Sequence, residues 1–321
     1  MEYKILGKTG LKVSIISFGA SPLGNEFESI DSSEGDRAVH CAIDHGINYF
    51  DVSPYYGRTL AETRLGVALA GKRNDIYLAT KVGRYDSDLE TGFDFSAERV
   101  RASIDESLQR LQTDYLDVIQ IHDLEFGDKE QIVNETLPEL KRIRESGKVR
   151  FVGITGYPVH ILRDIASENE VDTILSYCRY NLMDTSMDDV LTPVAKEKQI
   201  GLINASILHM RILTDRGAPD WHPAPEKVKK AGEQVAALCA ERGVDVASLA
   251  LQYVLQHEYV ATTLIGMSKV RHVEANLKDV GIVPDAELLA DVKALIAPVA
   301  NVYWKSGRPE NDDPGAIDQK V

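Results

Sequence analysis

Short apolar segments alternate along the chain with longer segments in which apolar residues recur every three or four positions. Short runs rich in β-branched residues are typical of strands that are buried on both faces. We predict eight such strands, at Ile15–Gly19, Ile47–Asp51, Ile76–Val82, Tyr115–His122, Val149–Thr155, Thr173–Tyr177, Ile200–Ala205 and Val260–Gly266. The helical spacing between them indicates a repeated strand–helix unit.

Three of the intervening helices have recognisable ends. Ser96 is suited to cap the first of them, and Gly147 is suited to end the second. The third is predicted over Glu226–Arg242 and ends at Gly243. Strand–helix alternation over about 250 residues predicts parallel strands with right-handed crossovers. The eight units favour an α/β fold of the (β/α)8 TIM barrel type, and a doubly wound open sheet is the second choice.

Additional segments are expected at both ends of one domain that spans residues 1–321. Tyr3–Leu6 and Lys12–Ser14 flank a Gly-Lys-Thr-Gly turn and predict a β-hairpin ahead of the barrel. The barrel is expected to occupy about residues 15–282, followed by a C-terminal extension over 283–321. This extension contains a predicted helix at Asp285–Ile296 and a poorly periodic tail.

Composition and charge narrow the classes of function. The 321 residues include 36 Lys and Arg against 50 Asp and Glu, a net charge of −14 that disfavours nucleic acid as a partner. No apolar run approaches the ~20 residues that span a bilayer, and the first residues lack the features of a secretory signal. The three cysteines share no close spacing, which disfavours a disulfide framework or a metal site. We expect a cytoplasmic monomer or small homo-oligomer with a small-molecule substrate.

Four polar residues are predicted to meet at one end of the barrel. Asp51, Lys81 and His122 each end a predicted strand, and Tyr56 follows Asp51 in the next loop. In such barrels the chemistry gathers at the carboxyl ends of the strands. A lysine beside a tyrosine favours the phenolate and should lower its pKa from about 10, while a carboxylate holds the ammonium in place. We therefore predict that Tyr56 is a general acid and base and that His122 orients the reacting oxygen.

The segments FDVSPYYG, LATKVG and IQIHD resemble the three signature blocks of the aldo-keto reductases. This resemblance implies a barrel, a nicotinamide cofactor and a catalytic tetrad, here Asp51, Tyr56, Lys81 and His122. LGKTGLKVSIISFGASPLG, HDLEFG, GKVRFVGITG and WHPAP are similar to a sugar-dehydrogenase branch of that family. The likeness covers about residues 4–305 and implies oxidation of L-galactose or a related sugar to its lactone.

The resemblance also implies a set of cofactor-binding positions beside Asp51. They are Gly19, Ala20, Ser21, Thr155, Tyr177, Ala205, Ser206, Leu208, Arg211, Gly266, Met267, Ser268, His272 and Asn276. Three of these differ from the common pattern of the family. Thr155 is followed by Gly156 rather than asparagine, Ala205 offers no ring to stack on nicotinamide, and Arg211 replaces a glycine.

NAD is the expected cofactor. Gly266 and His272 hold places where relatives that prefer NADP usually carry Lys or Arg, so a 2′-phosphate would lack its paired charge. Lys269 and Arg271 are close enough in sequence to substitute, which leaves NADP open. No metal is expected, because the chain contains no His-x-His or His-Glu-x-x-His motif.

Residues just past the strand ends are candidates for contact with a sugar. Besides Tyr56 and His122, we expect Asp123, Arg84 and Tyr85 to line the pocket, and the tail residue Trp304 either closes it or packs on a barrel helix. Two other functions stay open at this stage. One is an NADPH-dependent aldehyde or ketone reductase, and the other is a regulatory subunit that senses the cofactor without turning over substrate.

Overall fold

Eight parallel strands close into a barrel in the computed structural model, which describes residues 1–26 and 28–318. The hairpin strands are β1 (Tyr3–Ile5) and β2 (Lys12–Ser14), and the barrel strands are β3 (Ile16–Gly19), β4 (Tyr49–Asp51), β5 (Tyr77–Val82), β6 (Leu116–Ile121), β7 (Val149–Gly156), β8 (Thr173–Tyr177), β9 (Gly201–Ala205) and β10 (Thr262–Gly266). β3 to β9 follow one another in chain order, and β10 closes the barrel between β9 and β3. The predicted (β/α)8 barrel is confirmed.

Helices surround the barrel and connect its strands. They are α1 (Ser32–Asp44), α2 (Leu60–Ala68), α3 (Ala97–Leu111), α4 (Lys129–Gln131), α5 (Leu137–Glu145), α6 (Val159–Glu168), α7 (Ser186–Lys198), α8 (Glu226–Glu241), α9 (Val246–Leu255), α10 (Val270–Asp279) and α11 (Ala286–Ile296). Ser96 caps α3 as predicted, because its hydroxyl accepts the backbone N–H of Arg99. A π-helical turn over Ile132–Thr136 joins α4 to α5, which the 3.6-residue spacing did not reveal.

The predicted hairpin closes the amino-terminal end of the barrel. β1 and β2 pair antiparallel, with Tyr3 opposite Ser14. Gly7, in the turn between them, has φ +50°, and a Cβ there would lie 2.3 Å from the backbone nitrogen of Gly201. Glycine alone fits such a close contact, so the turn lies directly against the first residue of β9. The polar strand ends discussed above are therefore at the open end.

Two apolar layers flank the barrel strands. Side chains that point inward form a small core with the hairpin, which includes Leu6, Tyr49, Val118 and Ile203. Side chains that point outward pack against the helices in a much larger core. This double burial explains why most strands are continuous apolar runs. No helix within the described residues is long and apolar enough to span a membrane.

The C-terminal tail folds back over the carboxyl end of the barrel. The buried carboxylate of Asp313 accepts the backbone N–H groups of Val159 (3.1 Å) and His160 (2.8 Å) at the start of α6. It also lies 2.9 Å from Nη1 of Arg179, a guanidinium that is only 1% exposed. A tail residue thus caps a barrel helix and balances a buried charge. The weak periodicity of the tail had indicated no such contacts.

Candidate active site

The four polar residues predicted at the strand ends lie together at the carboxyl end of the barrel. Asp51 is the last residue of β4, Lys81 is next to last in β5, and His122 directly follows β6. The loop after β4 brings Tyr56 back over them. Asp51, Lys81 and His122 are buried to at least 96%, so their charges and hydrogen bonds operate away from bulk water.

Asp51 and Lys81 form a buried ion pair beneath Tyr56. Lys81 Nζ also donates to the carbonyl of Val52 (2.8 Å), and Gln120 Nε2 donates to Asp51 Oδ2 (2.7 Å). Burial acts to lower the pKa of Lys81, but the charges and hydrogen bonds of Asp51 and Tyr56 together outweigh it and the pKa is raised. The ammonium is therefore held at a fixed position next to the phenol.

Tyr56 lies between the ammonium and the histidine. Lys81 Nζ is 4.9 Å from the centroid of its ring, and the His122 ring centroid is 5.7 Å away in an edge-to-face arrangement. Burial raises the pKa of Tyr56 to about 12, although the charge of Lys81 acts to lower it. The expectation of a lowered pKa is therefore wrong for this structure. Lys81 acts in the predicted direction, but desolvation of the phenolate outweighs it.

His122 is an uncharged imidazole. Its Nδ1 is hydrogen-bonded to the Ser53 hydroxyl at 3.0 Å, and its Nε2 lies 3.8 Å from Asp123 Oδ2. Burial, together with the charges of Lys81 and Arg84, holds the pKa of His122 well below 6.5. A neutral ring whose Nδ1 is bound to Ser53 keeps Nε2 for a hydrogen bond with a bound oxygen.

Arg84 and Asp123 form a second ion pair next to His122. The Arg84 guanidinium stacks 3.8 Å from the centroid of the Tyr55 ring, and its buried Nε has no partner among the described residues. The backbone of Asp123 is also held in place, because its N–H donates to the Thr155 hydroxyl at 3.2 Å. Tyr55 also lines a cleft of about 320 Å³, whose other lining residues do not include Arg84 or Asp123.

The predicted cofactor positions fall mainly on three adjacent strand ends. Gly266 of β10 pairs with Gly19 of β3, and Leu264 pairs with Ala205 of β9. Met267 N–H donates to the carbonyl of Gly19 at 3.2 Å, which joins the two loops. Beyond them, His272 and Asn276 lie on α10, and the Asn276 amide donates to the carbonyl of His272. The structure thus places Gly19–Ser21, Ala205–Ser206 and Gly266–Ser268 along one edge.

The loop after β9 has an unusual backbone. Ser206, His209, Met210 and Arg211 all have positive φ, between +48° and +80°. Non-glycine residues rarely adopt this conformation, and clusters of it are found at ligand-binding sites. Arg211 is exposed on this loop, whereas Leu208 packs against the core. The loop follows the same edge as the other cofactor positions.

Two predicted sugar contacts lie elsewhere. The Tyr85 hydroxyl accepts the Gly83 N–H at 3.1 Å, and the Arg99 guanidinium of α3 lies 4.2 Å from its ring. Trp304 is only 4% exposed and stacks on Tyr157 at 4.8 Å. The structure shows Trp304 stacked on Tyr157, in the loop between β7 and α6, and not on a barrel helix. The tetrad, Arg84 and Asp123 are brought together, and Tyr85 and Trp304 are not part of that cluster.

Trp304 also contacts two buried histidines that are not part of the tetrad. His209 and His222 lie edge-to-face against it, at 5.5 and 5.3 Å between ring centroids. His222 Nδ1 accepts the Ala224 N–H, and Nε2 is 3.0 Å from the carbonyl of His209. This pairing requires the neutral ring, and burial lowers the pKa of His222 to about 4.

This lowered pKa predicts acid sensitivity. Below pH 6.5 the unfolded chain protonates His222 and the folded chain does not, so stability falls as the pH drops toward 4. Between pH 7 and pH 5 the loss from this residue should be about 2 kcal/mol. The measurement is the free energy of unfolding in urea against pH, for the wild type and His222→Gln. The two proteins share all other titrating groups. If their free energies of unfolding depend equally on pH, the lowered pKa of His222 is contradicted.

Three residues of the site were missed at the sequence level: Ser53, Gln120 and Glu125, whose Oε1 accepts the Tyr177 hydroxyl at 3.4 Å. Gln120 carried a usable signal, since it is a polar residue on the inward face of an apolar strand, two positions before His122. Ser53 and Glu125 carried none, because their roles depend on which side chains the loops bring next to them. Among the described residues, no group of three or more His, Cys, Asp or Glu side chains could hold a metal ion.

Comparisons with known proteins agree with this geometry. The model of the aldo/keto reductase family matches residues 15–297. The chain belongs to the aldo-keto reductase family. It is 46% identical to L-galactose dehydrogenase of Arabidopsis thaliana, over 97% of this chain and 99% of that protein. D-arabinose 1-dehydrogenase of Saccharomyces cerevisiae is 30% identical, over 92% of this chain and 95% of that protein.

A solved structure of the same family shares the fold. The holo form of an aldo-keto reductase from Bacillus halodurans superimposes with a TM-score of 0.76 at 26% identity, and covers 97% of this chain and 99% of that one. The resemblance seen in the signature segments is confirmed. As an aldo-keto reductase, the chain is an oxidoreductase that works with a nicotinamide cofactor on a small-molecule substrate.

Proposed function

We propose that this aldo-keto reductase is a NAD-dependent aldose 1-dehydrogenase that oxidises L-galactose or a related sugar to its lactone. The observation that carries the proposal is the position of Tyr56 between the Lys81 ammonium and the neutral His122 ring. The 46% identity to a plant L-galactose dehydrogenase supports the choice of substrate. Two other relatives, at 30% and 27% identity, are also named as aldose 1-dehydrogenases.

Tyr56 takes the proton of the anomeric hydroxyl in this proposal. Because the pKa of Tyr56 is raised to about 12, its small deprotonated fraction acts as the base. As the C1 hydroxyl loses its proton to this phenolate oxygen, a C=O bond forms and the hydrogen on C1 leaves as hydride. A nicotinamide cofactor, when bound, would accept this hydride. Lys81 stabilises the phenolate, and Asp51 keeps the lysine charged and aimed. In the opposite direction hydride adds to C1 and the protonated phenol gives its proton to the carbonyl oxygen of the lactone.

The sugar is held by the polar groups around His122. His122 Nε2 hydrogen-bonds the C1 oxygen and keeps it within reach of Tyr56. The Arg84 Nε, a buried donor with no partner among the described residues, meets a ring hydroxyl. Asp123, paired with Arg84, accepts from a second hydroxyl. A sugar rich in hydroxyls satisfies these groups better than a simple aldehyde does.

The edge formed by β9, β10 and β3 fits a dinucleotide. Its loops offer the backbone groups of Gly19–Ser21, Ser206 and Gly266–Ser268, and α10 directs its amino terminus toward the same edge. A helix amino terminus favours phosphate, because its free N–H groups carry partial positive charge. Thr155 and Tyr177 border the side where nicotinamide would reach the tetrad. Leu208, Arg211, His272 and Asn276 complete the proposed contacts.

A panel of aldoses tests the proposal. Purified protein is mixed with NAD or NADP and each sugar, and reduced cofactor is followed by its absorbance. L-galactose and sugars of like configuration should give steady turnover with a lactone as product. Absence of turnover with every aldose, together with reduction of aldehydes by NADPH, would favour the reductase alternative. Cofactor binding without any turnover would favour a regulatory subunit.

The proposed cofactor preference rests on the charges at the start of α10. Lys269 Nζ is already 2.6 Å from the carboxylate of Glu28, so one of the two nearby cations has an internal partner. His272 is neutral, since burial lowers its pKa below 6.5. NAD should therefore exceed NADP in kcat/KM by at least about 10-fold, or ~1.4 kcal/mol. Comparison of the two kcat/KM values checks this.

Two variants test separately how the charges at His272 and Lys269 affect the choice between NAD and NADP. His272→Arg adds a permanent cation and should narrow the gap between NAD and NADP. Glu28→Gln frees Lys269 and should act in the same direction, with a lower Kd for NADP. Asp44→Asn, at the far end of α1, serves as a matched control for the loss of one negative charge. Equal use of NAD and NADP by the unmodified protein would overturn the assignment.

A further inference from the structure

Glu125 is a buried carboxyl group that the reaction outlined above does not use. It lies in the turn after β6, three positions beyond His122, and its side chain is fully inaccessible to solvent. Its Oε1 accepts the backbone N–H of Tyr157 (3.2 Å) and the Tyr177 hydroxyl (3.4 Å). Its Oε2 has no hydrogen-bond partner among the described residues. A buried polar atom without a partner is costly and calls for an explanation.

The space around this carboxyl group exists because position 156 is glycine. A Cβ on Gly156 would lie 2.7 Å from Glu125 Oε2, closer than carbon and oxygen atoms approach one another. The φ of Gly156 is in the ordinary range, so the requirement for glycine here is the room it leaves and not its backbone conformation. Glu125 therefore occupies the volume of a side chain that β7 lacks at its last residue.

Residues of the C-terminal tail hold Glu125 in place by hydrogen bonds. The carbonyl of Glu125 accepts the Arg308 N–H (2.9 Å) and the Asn311 side-chain amide (2.8 Å). The Ser306 hydroxyl lies 3.4 Å from Oε1. A group held on its backbone and its side chain cannot swing into solvent, so its contacts with Tyr177 and Gly156 are constant features of the fold.

Burial and the neighbouring charges determine which protonation state of the Glu125 carboxyl group is favoured. Arg84 is the cation next to Asp123 and Glu125, and Asp123 already pairs with it. Burial, followed by the charge of Asp123, raises the pKa of Glu125 well above 4.5. Both causes favour the neutral carboxylic acid, which can accept at one oxygen and donate at the other. A glutamine has the same shape and the same pair of hydrogen-bonding functions.

We propose that Glu125 is a positioning residue, which fills the space over Gly156 and holds the Tyr177 ring in place for the cofactor. The inference rests on the proposed function, in which Thr155 and Tyr177 border the nicotinamide. Tyr177 is linked to Glu125 by its hydroxyl and lies 5.6 Å, ring to ring, from Tyr157. With the hydroxyl released, the ring can turn and the nicotinamide loses one wall of its site.

Four variants test this, with the Kd for NADH measured by fluorescence quenching and the thermal midpoint of unfolding measured in parallel. Glu125→Gln should bind NADH within about 3-fold of the wild type, because it keeps the hydrogen bonds. Glu125→Ala should weaken NADH binding by about 10-fold, the worth of one buried hydrogen bond. Tyr177→Phe should weaken it similarly, and Glu125→Ala combined with Tyr177→Phe should be no worse than either alone.

Position 156 provides the geometric test. Gly156→Ala should lower the midpoint of unfolding in the wild type, because its methyl group meets Oε2. In the Glu125→Ala background the same substitution should cost little or raise the midpoint. Additive effects of the two substitutions would overturn the proposed packing. Asp117→Asn, a buried carboxyl at the opposite end of the barrel, is the matched control and should lower stability with no change in the Kd for NADH.

The outcomes distinguish this inference from the proposed function. If the wild type does not bind NADH, the proposed function fails first. If the wild type binds NADH and Glu125→Ala leaves that Kd unchanged, Glu125 is merely structural and the inference fails alone. If Glu125→Gln is as defective as Glu125→Ala while both are folded, the group acts as a charged carboxylate and the inference is also overturned.

Discussion

Substitution of Tyr56 by phenylalanine is expected to lower kcat for sugar oxidation by at least about 100-fold, and up to about 10,000-fold. The ring remains against Lys81 and His122, but the atom that exchanges a proton with the substrate is gone. The Kd for NADH should change little, because the proposed role of the hydroxyl is toward the sugar. Steady-state kinetics and NADH titration of the same preparation check both parts.

The control for this variant is Tyr77→Phe. Tyr77 is the first residue of β5, at the opposite end of the strand that carries Lys81, so the same chemical change is made far from the site. It should leave kcat close to that of the wild type. Near-normal turnover in Tyr56→Phe itself would remove Tyr56 from the proton transfer and would redirect attention to His122.

Substitution of Lys81 by methionine is expected to damage both activity and stability. Among the described residues, Asp51 would keep only the Gln120 amide as a hydrogen-bond partner for its buried carboxylate, a loss of about 3–5 kcal/mol in the free energy of unfolding. Turnover should fall by at least about 100-fold, the usual range for general acid–base catalysis. Because the charge of Lys81 acts to lower the pKa of Tyr56, the residual activity should move toward higher pH.

A double variant separates the two effects of Lys81. Asp51→Asn combined with Lys81→Met removes both charges of this ion pair, so it should be more stable than Lys81→Met alone while remaining inactive. Urea unfolding and kcat against pH are the measurements. A double variant less stable than the single one would contradict the ion-pair account, and an unshifted pH profile would contradict electrostatic tuning of Tyr56.

The barrel and the grouping of the tetrad were predictable from local patterns. Each observed strand overlaps its predicted segment, and no strand end differs by more than two residues. Buried parallel strands are continuous apolar runs, so a polar residue at the end of one, such as Lys81 or His122, is easily recognised. Since consecutive parallel strands are neighbours in a barrel, residues at their ends must also be neighbours.

What the sequence did not reveal depends on contacts between distant segments. The raised pKa of Tyr56 results from how completely the loops cover it, and no local pattern records that burial. Trp304 could not be placed because its partners, Tyr157 and His222, come from separate loops. The need for glycine at position 156 could not be predicted, because it depends on the turn that places Glu125 beside β7.

The capping of α6 by Asp313 has a consequence for how the chain folds. The capping carboxylate comes 153 positions after His160, so the first turn of this helix is completed by a contact with very large sequence separation. Such contacts are costly to form early, because a long loop must close before they contribute. The barrel can therefore assemble before the tail docks, with Arg179 still lacking one of its two acidic partners. Docking of the tail would then be a late folding step that completes both the helix and the mouth of the barrel.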